Sequence, residues 1–265
     1  MRRVVLAALL ATLSGAPAMA QMSPRQDLWP QLMIDLFEGR AMEDGAGVIA
    51  LDAPYRAEDA AIVPMTIRSE LPAGSHLRIA KITLVIDNNP APVAAQFTFG
   101  EAGGVRAIET RVRVDSYTKV HVVAEASDGK LYMAEKFVKA AGGCSAPSLK
   151  VAGTDAEIGE MKLRRFPAPA EGVEEAQIMI RHPNNSGLQR DPLTNYYIPA
   201  YFVQDLAVNI GGKLLFRMEG GISISENPTF RITYSGEDAA VAVEAKDTKG
   251  AVFTGEWPAG TGSST

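Results

Sequence analysis

The chain is short of the residues that build most active sites. It has one cysteine, Cys144, and three histidines, His76, His121 and His182, in 265 residues. No HxH, HExxH or CxxC spacing occurs, so no zinc-type ligand set is legible. No Gly-rich phosphate loop leads into a helix. Basic residues are outnumbered by acidic ones, 26 to 31, for a net charge of −5, and they form no cluster. That argues against nucleic acid and against anionic lipid surfaces. Beyond the first twenty residues no apolar run reaches the roughly 18 residues that span a bilayer, so no membrane insertion is expected. A lone cysteine cannot close an internal disulfide. It leaves a reactive group or a disulfide-linked dimer through Cys144, with a small buried hydrophobe as the alternative.

Several features are present in place of these. Arg2 and Arg3 precede the apolar run Val4–Leu13, and Ala18-Met19-Ala20 offers a small-x-small cleavage site before Gln21. Residues 1–20 therefore read as an export signal, and the mature chain is expected in the periplasm. The Arg-Arg pair leaves the twin-arginine route open beside ordinary Sec export. Cleavage removes two arginines and no acid, which moves the charge from −5 to −7. In an oxidising compartment an unpaired thiol is unusual, since exported proteins tend to carry cysteines in pairs.

Gln26–Gly39 has apolar residues at helical spacing, with Pro30 in the first turn, where proline is tolerated. From Val48 onward short alternating runs take over: Ile62–Arg68, Ile79–Asp87, Gln96–Gly100, Arg111–Val114, Val120–Ala124 and Leu131–Val138. Asp128-Gly129-Lys130 marks a hairpin between the last two. A second series follows, Glu175–Arg181, Tyr201–Ile210, Leu214–Met218, Ile222–Ser225, Thr229–Tyr234, Ala240–Lys246 and Ala251–Trp257, with Gly211-Gly212-Lys213 as a hairpin. Strands at this spacing predict an all-β chain of two immunoglobulin-like antiparallel β-sandwich domains with a short N-terminal helix. The expected division is a signal over 1–20, a first sandwich with its helix and cysteine segment over 21–144, a linker over 145–172 and a second sandwich over 173–265. Within that linker a strand beginning at Leu163 and a merely extended stretch are both open readings.

Ala140 to Ser148 is small, Gly- and Pro-rich and aperiodic. Gly142 and Gly143 are read as giving a flexible arm that exposes Cys144. A free thiol titrates near 8.5, so only a few per cent is ionised at neutral pH without help. Lys136, Lys139 and Lys150 are the nearby cations able to depress that value, with ordinary solvated lysines as the alternative. No base is set beside the thiol by spacing. The chain thus offers one nucleophile without catalytic apparatus or cofactor, and reads as a carrier, not an enzyme.

The chain resembles the SoxYZ sulfur-oxidation carriers, with both partners in one polypeptide. Ile62-Val63-Pro64-Met65, the run Ile82–Asp87 into Asn88-Asn89-Pro90-Ala91-Pro92, Phe97 and Phe99, Asp128–Tyr132 and the closing Gly142-Gly143-Cys144 are similar to SoxY. His182-Pro183 with Ser186-Gly187-Leu188, Ile198–Gln204, Asn209–Lys213 and Ser225–Pro228 are similar to SoxZ. The resemblance implies that Cys144 holds sulfur intermediates covalently while separate enzymes act on them. It implies sulfur-oxidation enzymes or c-type cytochromes as partners, and intramolecular pairing of the two domains. Fusions of this type also resemble carriers associated with quinoprotein (PQQ) alcohol dehydrogenases. A non-covalent accessory role to such a dehydrogenase is the alternative function, and a thiol enzyme is a third. Here over a hundred residues follow the cysteine, so the arm is tethered at both ends.

Overall fold

The computed structural model describes residues 27–72, 74–100, 104–147 and 158–260. Residues 1–20, read from the sequence as an export signal, lie outside the described residues. The helix α1 (Trp29–Phe37) starts with Pro30 in its first turn and stops where Glu38 and Gly39 take left-handed φ values of 57° and 67°.

The first half then contributes β1 (Met42–Asp44), β2 (Ile49–Asp52), β3 (Val63–Ser69), β4 (Ile79–Ile86), β5 (Val93–Phe99), β6 (Val105–Val112), β7 (Thr118–Ala126) and β8 (Leu131–Val138). The second half contributes β9 (Met161–Ala170), β10 (Val173–Ile180), β11 (Val203–Ile210), β12 (Lys213–Gly220), β13 (Thr229–Ser235), β14 (Val241–Asp247) and β15 (Val252–Trp257). Alternation of buried and exposed residues along β3, β13 and β14 is the expected signature of strands with one face on a core. β7 departs from it and is buried on both faces. Its outer face is covered by α1, whose Trp29 and Phe37 pack on Val85, Val123 and Leu131.

Among the described residues these strands make two sheets, each running through both halves. The larger has the order β1-β8-β7-β4-β5-β12-β11-β14-β15 and the smaller β2-β3-β6-β13-β10-β9. All neighbours are antiparallel except β1 and β8. The halves join edge to edge at two seams. In one, β5 pairs with β12 (Phe97 opposite Met218); in the other, β6 pairs with β13 (Ile108 opposite Ile232). The all-β sandwich is as expected, and the pairing of the halves is a pair of main-chain ladders. One continuous core therefore spans the molecule. At the seam Phe97 meets Phe216 and Phe230 edge-on, with ring centroids 5.9 and 6.3 Å apart.

Two local expectations need correction. Part of the expected linker, Met161–Ala170, is strand β9, although it contains Pro167 and Pro169. It is the edge strand of the smaller sheet, and an edge tolerates residues that cannot donate to a further ladder. Ile222–Ser225 forms no strand. Only Ile224 makes a bridge, to Val112, and the segment serves instead to cover the end of β6. Residues 148–157 of the linker lie outside the described residues.

A candidate thiol site at the seam

After β8 the chain does not leave the sandwich. Lys139 N–H donates to the Tyr55 carbonyl at 2.8 Å, and the Lys139 carbonyl accepts from Ala57. Gly142 N–H then donates to the Asp115 carbonyl (2.8 Å) and Gly143 N–H to the Val114 carbonyl (3.1 Å). Gly142 has φ +77°, a left-handed value that glycine adopts without a Cβ penalty. A Cβ on Gly143 would collide with the Ala60 carbonyl oxygen. The two glycines thus serve a tight, closely packed turn.

That turn buries the cysteine. Cys144 has no exposed surface, against the expectation of an exposed thiol. In this conformation the sulfur is not available for a disulfide-linked dimer. Burial pushes the thiol up to about 12, the Asp115 carboxylate adds to the rise and the Arg113 guanidinium opposes it. Of the lysines offered by sequence, Lys136 and Lys139 are not among the groups that shift it. Lys139 instead lies over the Tyr55 ring at 4.6 Å. Lys150 lies outside the described residues.

The lid on the thiol comes from the second half. The Ser186 hydroxyl donates to the Cys144 carbonyl. The Gln189 side chain donates to the Ala146 carbonyl at 3.0 Å, while its own oxygen accepts from Ser186 N–H at 3.0 Å. Both side chains are buried. Arg113, only 1% exposed, donates to the Gly143 carbonyl (3.2 Å) and the Asn184 carbonyl (3.4 Å). Strand alternation places Arg113 on the surface. It is buried because the chain past β6 is capped by the second half, through Arg113 N–H to the Ser223 carbonyl at 2.7 Å.

The segments singled out by sequence converge here. Asn89 donates to the Arg113 carbonyl (2.7 Å) and the Ser223 hydroxyl (2.9 Å), and accepts from Asp115 N–H. The Asn184 side chain, on a backbone at φ 41°, accepts from Val203 N–H, and Asn184 N–H donates to His182 Nδ1. The Ser225 hydroxyl donates to the Ala61 carbonyl at 2.7 Å. The short polar side chains of Asp87–Pro92, His182–Leu188 and Ser225–Pro228 thus tie the halves together around the cysteine turn.

The histidines do other work. His121 is buried between Asp87 (2.8 Å to Nδ1) and Glu135 (2.9 Å to Nε2), and its ring stacks on Trp29 at 3.6 Å. It fastens α1 to the larger sheet. His182 is buried beside Asp247, and burial holds it below its ordinary value. His76 is exposed. Among the described residues none of the three is hydrogen-bonded to the cysteine turn, so no imidazole is set beside the thiol.

The raised thiol has a thermodynamic consequence. The unfolded chain ionises Cys144 at the ordinary value of a free thiol, and the folded chain holds the proton to about 12. Stability is therefore full below pH 9 and falls as pH rises through that window, by on the order of 4 kcal/mol at its far end. Urea unfolding from pH 8 to 11 should show this decline, and Cys144→Ala should lack that component of it. Parallel pH curves for the two proteins would mean the thiol is not buried.

Fold and site together define a fused pair of β-sandwiches with one sequestered thiol at their seam. Residues 33–144 match the family described as sulfur oxidation protein SoxY, and residues 163–258 match sulphur oxidation protein SoxZ. The chain belongs to these sulfur-oxidation families, as a tandem SoxY–SoxZ fusion, and its role is that of a sulfur-oxidation carrier. No curated protein matches it. Among solved structures, two single-residue variants of a superoxide reductase (neelaredoxin) from Ignicoccus hospitalis are similar. One is 13% identical over 36% of this chain and 82% of its own, with a TM-score of 0.32. The other is 12% identical over 42% and 90%, with a TM-score of 0.31. A β-glycosidase from Bacteroides vulgatus is 9% identical over 79% and 24%, with a TM-score of 0.24. At such scores the likeness carries no functional information.

Proposed function

We propose that the chain is a periplasmic carrier that holds sulfur intermediates covalently on the Cys144 sulfur and presents them to separate sulfur-oxidation enzymes or c-type cytochromes. The observation that carries this reading is the convergence at one turn. The polar segments of both halves that resemble SoxY and SoxZ meet around the single nucleophile of the chain. A cargo joined by an S–S bond leaves the thiol proton to solvent and two electrons to the partner that accepts them. The closed turn is the resting state, and loading requires residues 142–147 to lift off the seam. In that open state Gly142 and Gly143 act as the arm that sequence reading assigns to them.

The test is intact mass of the chain recovered from cells grown on reduced sulfur compounds. Added sulfur, with or without oxygen, is expected on the wild-type chain, removable by reductant and absent from Cys144→Ser. A chain recovered at its unmodified mass, in cells whose growth on sulfur compounds survives Cys144→Ser, overturns the reading.

A further inference from the structure

The two sheets part at the end of the sandwich opposite the thiol. β4 runs from Ile79 at that end to Ile86, just before the Asn89 that braces the cysteine turn. β6 runs beside it from Val105 to Val112, just before Arg113. Strands of this length put the two ends about 25 Å apart. The mouth left between the sheets is a cleft of about 460 Å³, a size common for small-molecule sites. Its floor is the shared core, where Ile67, Ile82 and Ile108 are buried. Half-buried Leu77, Phe99 and Val105 continue the apolar surface outward.

The rim carries charge of one sign. Arg78 and Arg106 line the cleft and, among the described residues, no Asp or Glu does, in a chain whose acids outnumber its bases. Glu101, next to the lining Gly100, lies outside the described residues. Neither guanidinium is in an ion pair among the described residues. Both are held from behind. Arg106 Nε donates to the Ser235 hydroxyl at 2.8 Å, and its two terminal nitrogens make no hydrogen bond. Such a pair meets the oxygens of an oxyanion side by side. The Arg78 backbone is fixed on Ser127, whose hydroxyl accepts from Arg78 N–H (3.1 Å) and whose N–H donates to the Arg78 carbonyl (2.7 Å).

We propose that this cleft is a second, non-covalent binding site, and that its ligand is a small amphipathic anion with an apolar body and a carboxylate or sulfonate head. The floor takes the body out of water and the two arginines take the head. A cation of the same shape would meet two like charges. The cleft shares no residue with the cysteine turn, so the assignment stands apart from the carrier reading.

The test titrates octanoate, octanesulfonate, 1-octanol and octyltrimethylammonium into the isotope-labelled full chain and follows its amide resonances. Saturable shifts are expected with at least one of the two anions, centred on residues 75–80 and 104–108, and the tighter of the two names the head group. Octyltrimethylammonium should bind at least about tenfold more weakly than that anion. Arg78→Gln combined with Arg106→Gln should weaken the anion at least about fivefold and leave octanol unchanged. Both side chains are exposed, so the fold should survive the change, with the melting curve as the control. Should the double variant not fold, the wild-type ratio of anion to cation decides on its own. No saturable shift with either anion at millimolar concentration, shifts centred elsewhere, a cation that binds as tightly as the anion, or an unchanged anion affinity in the folded double variant each overturns the assignment. None of these results bears on the carrier reading, which the mass of the recovered chain tests separately.

Discussion

With Ser186→Ala and Gln189→Leu combined, native Cys144 is expected to react with a neutral thiol reagent at least about tenfold faster than in the wild type at pH 7. With the thiol held near 12, its ionised fraction in the closed turn at neutral pH is about one part in a hundred thousand. Reaction therefore proceeds through opened molecules, and its rate measures how often the turn lifts. Two side chains of the second half hold the turn from outside, at the Cys144 and Ala146 carbonyls. A side-chain hydrogen bond of this kind contributes roughly 0.5–1.5 kcal/mol, so losing both raises the open population by one to two orders of magnitude. Circular dichroism and the melting curve separate this from general loosening. The idea fails if the double variant reacts at the wild-type rate, or if the wild type already reacts like an unfolded peptide of the same sequence.

The second large effect concerns the seam. Phe97→Ala should cost about 3–5 kcal/mol, the usual range for emptying a buried aromatic site. The loss should be felt equally by both halves, because Phe97 of β5 packs on Phe216 and Phe230 of the second half. The two tryptophans make this measurable. Trp29 lies in the first half and Trp257 on β15 in the second, so Trp29→Phe and Trp257→Phe each leave one reporter. Urea transitions followed through either reporter should coincide before and after Phe97→Ala. Separate midpoints for the two reporters would show that the halves unfold independently and that the shared core contributes little.

The sequence made the strands and hairpins legible, because period-2 patterning and turn residues are local signals. Asp128-Gly129-Lys130 and Gly211-Gly212-Lys213 do turn between neighbouring strands, with Gly129 and Gly212 at positive φ. The seam was illegible for a physical reason. Alternation tells which face of a strand is buried, not which strand lies beside it, and Phe97 and Met218 are far apart in the chain. Met161–Ala170 was hidden by its prolines, which an edge strand accommodates. At the site, the position of Cys144 between the halves was legible and its burial was not. Gly142 and Gly143 were read as freedom, whereas Gly143 is small because the Ala60 carbonyl leaves no room for a Cβ. Arg113 was missed because the alternation of Arg111–Val114 points it outward. Only the cap supplied by Ser223, over a hundred residues later, turns it inward.

The two seams also bear on how the protein is made in the cell. Each half, made alone, would present two unpaired strand edges, β5 and β6 on one and β12 and β13 on the other. Open edges of this kind recruit other chains. A ribosome that delivers both halves on one polypeptide supplies each edge with its match in equal number, at a local concentration set by the connecting segment and not by expression levels. No surplus of either half accumulates, and every thiol leaves synthesis with its own lid.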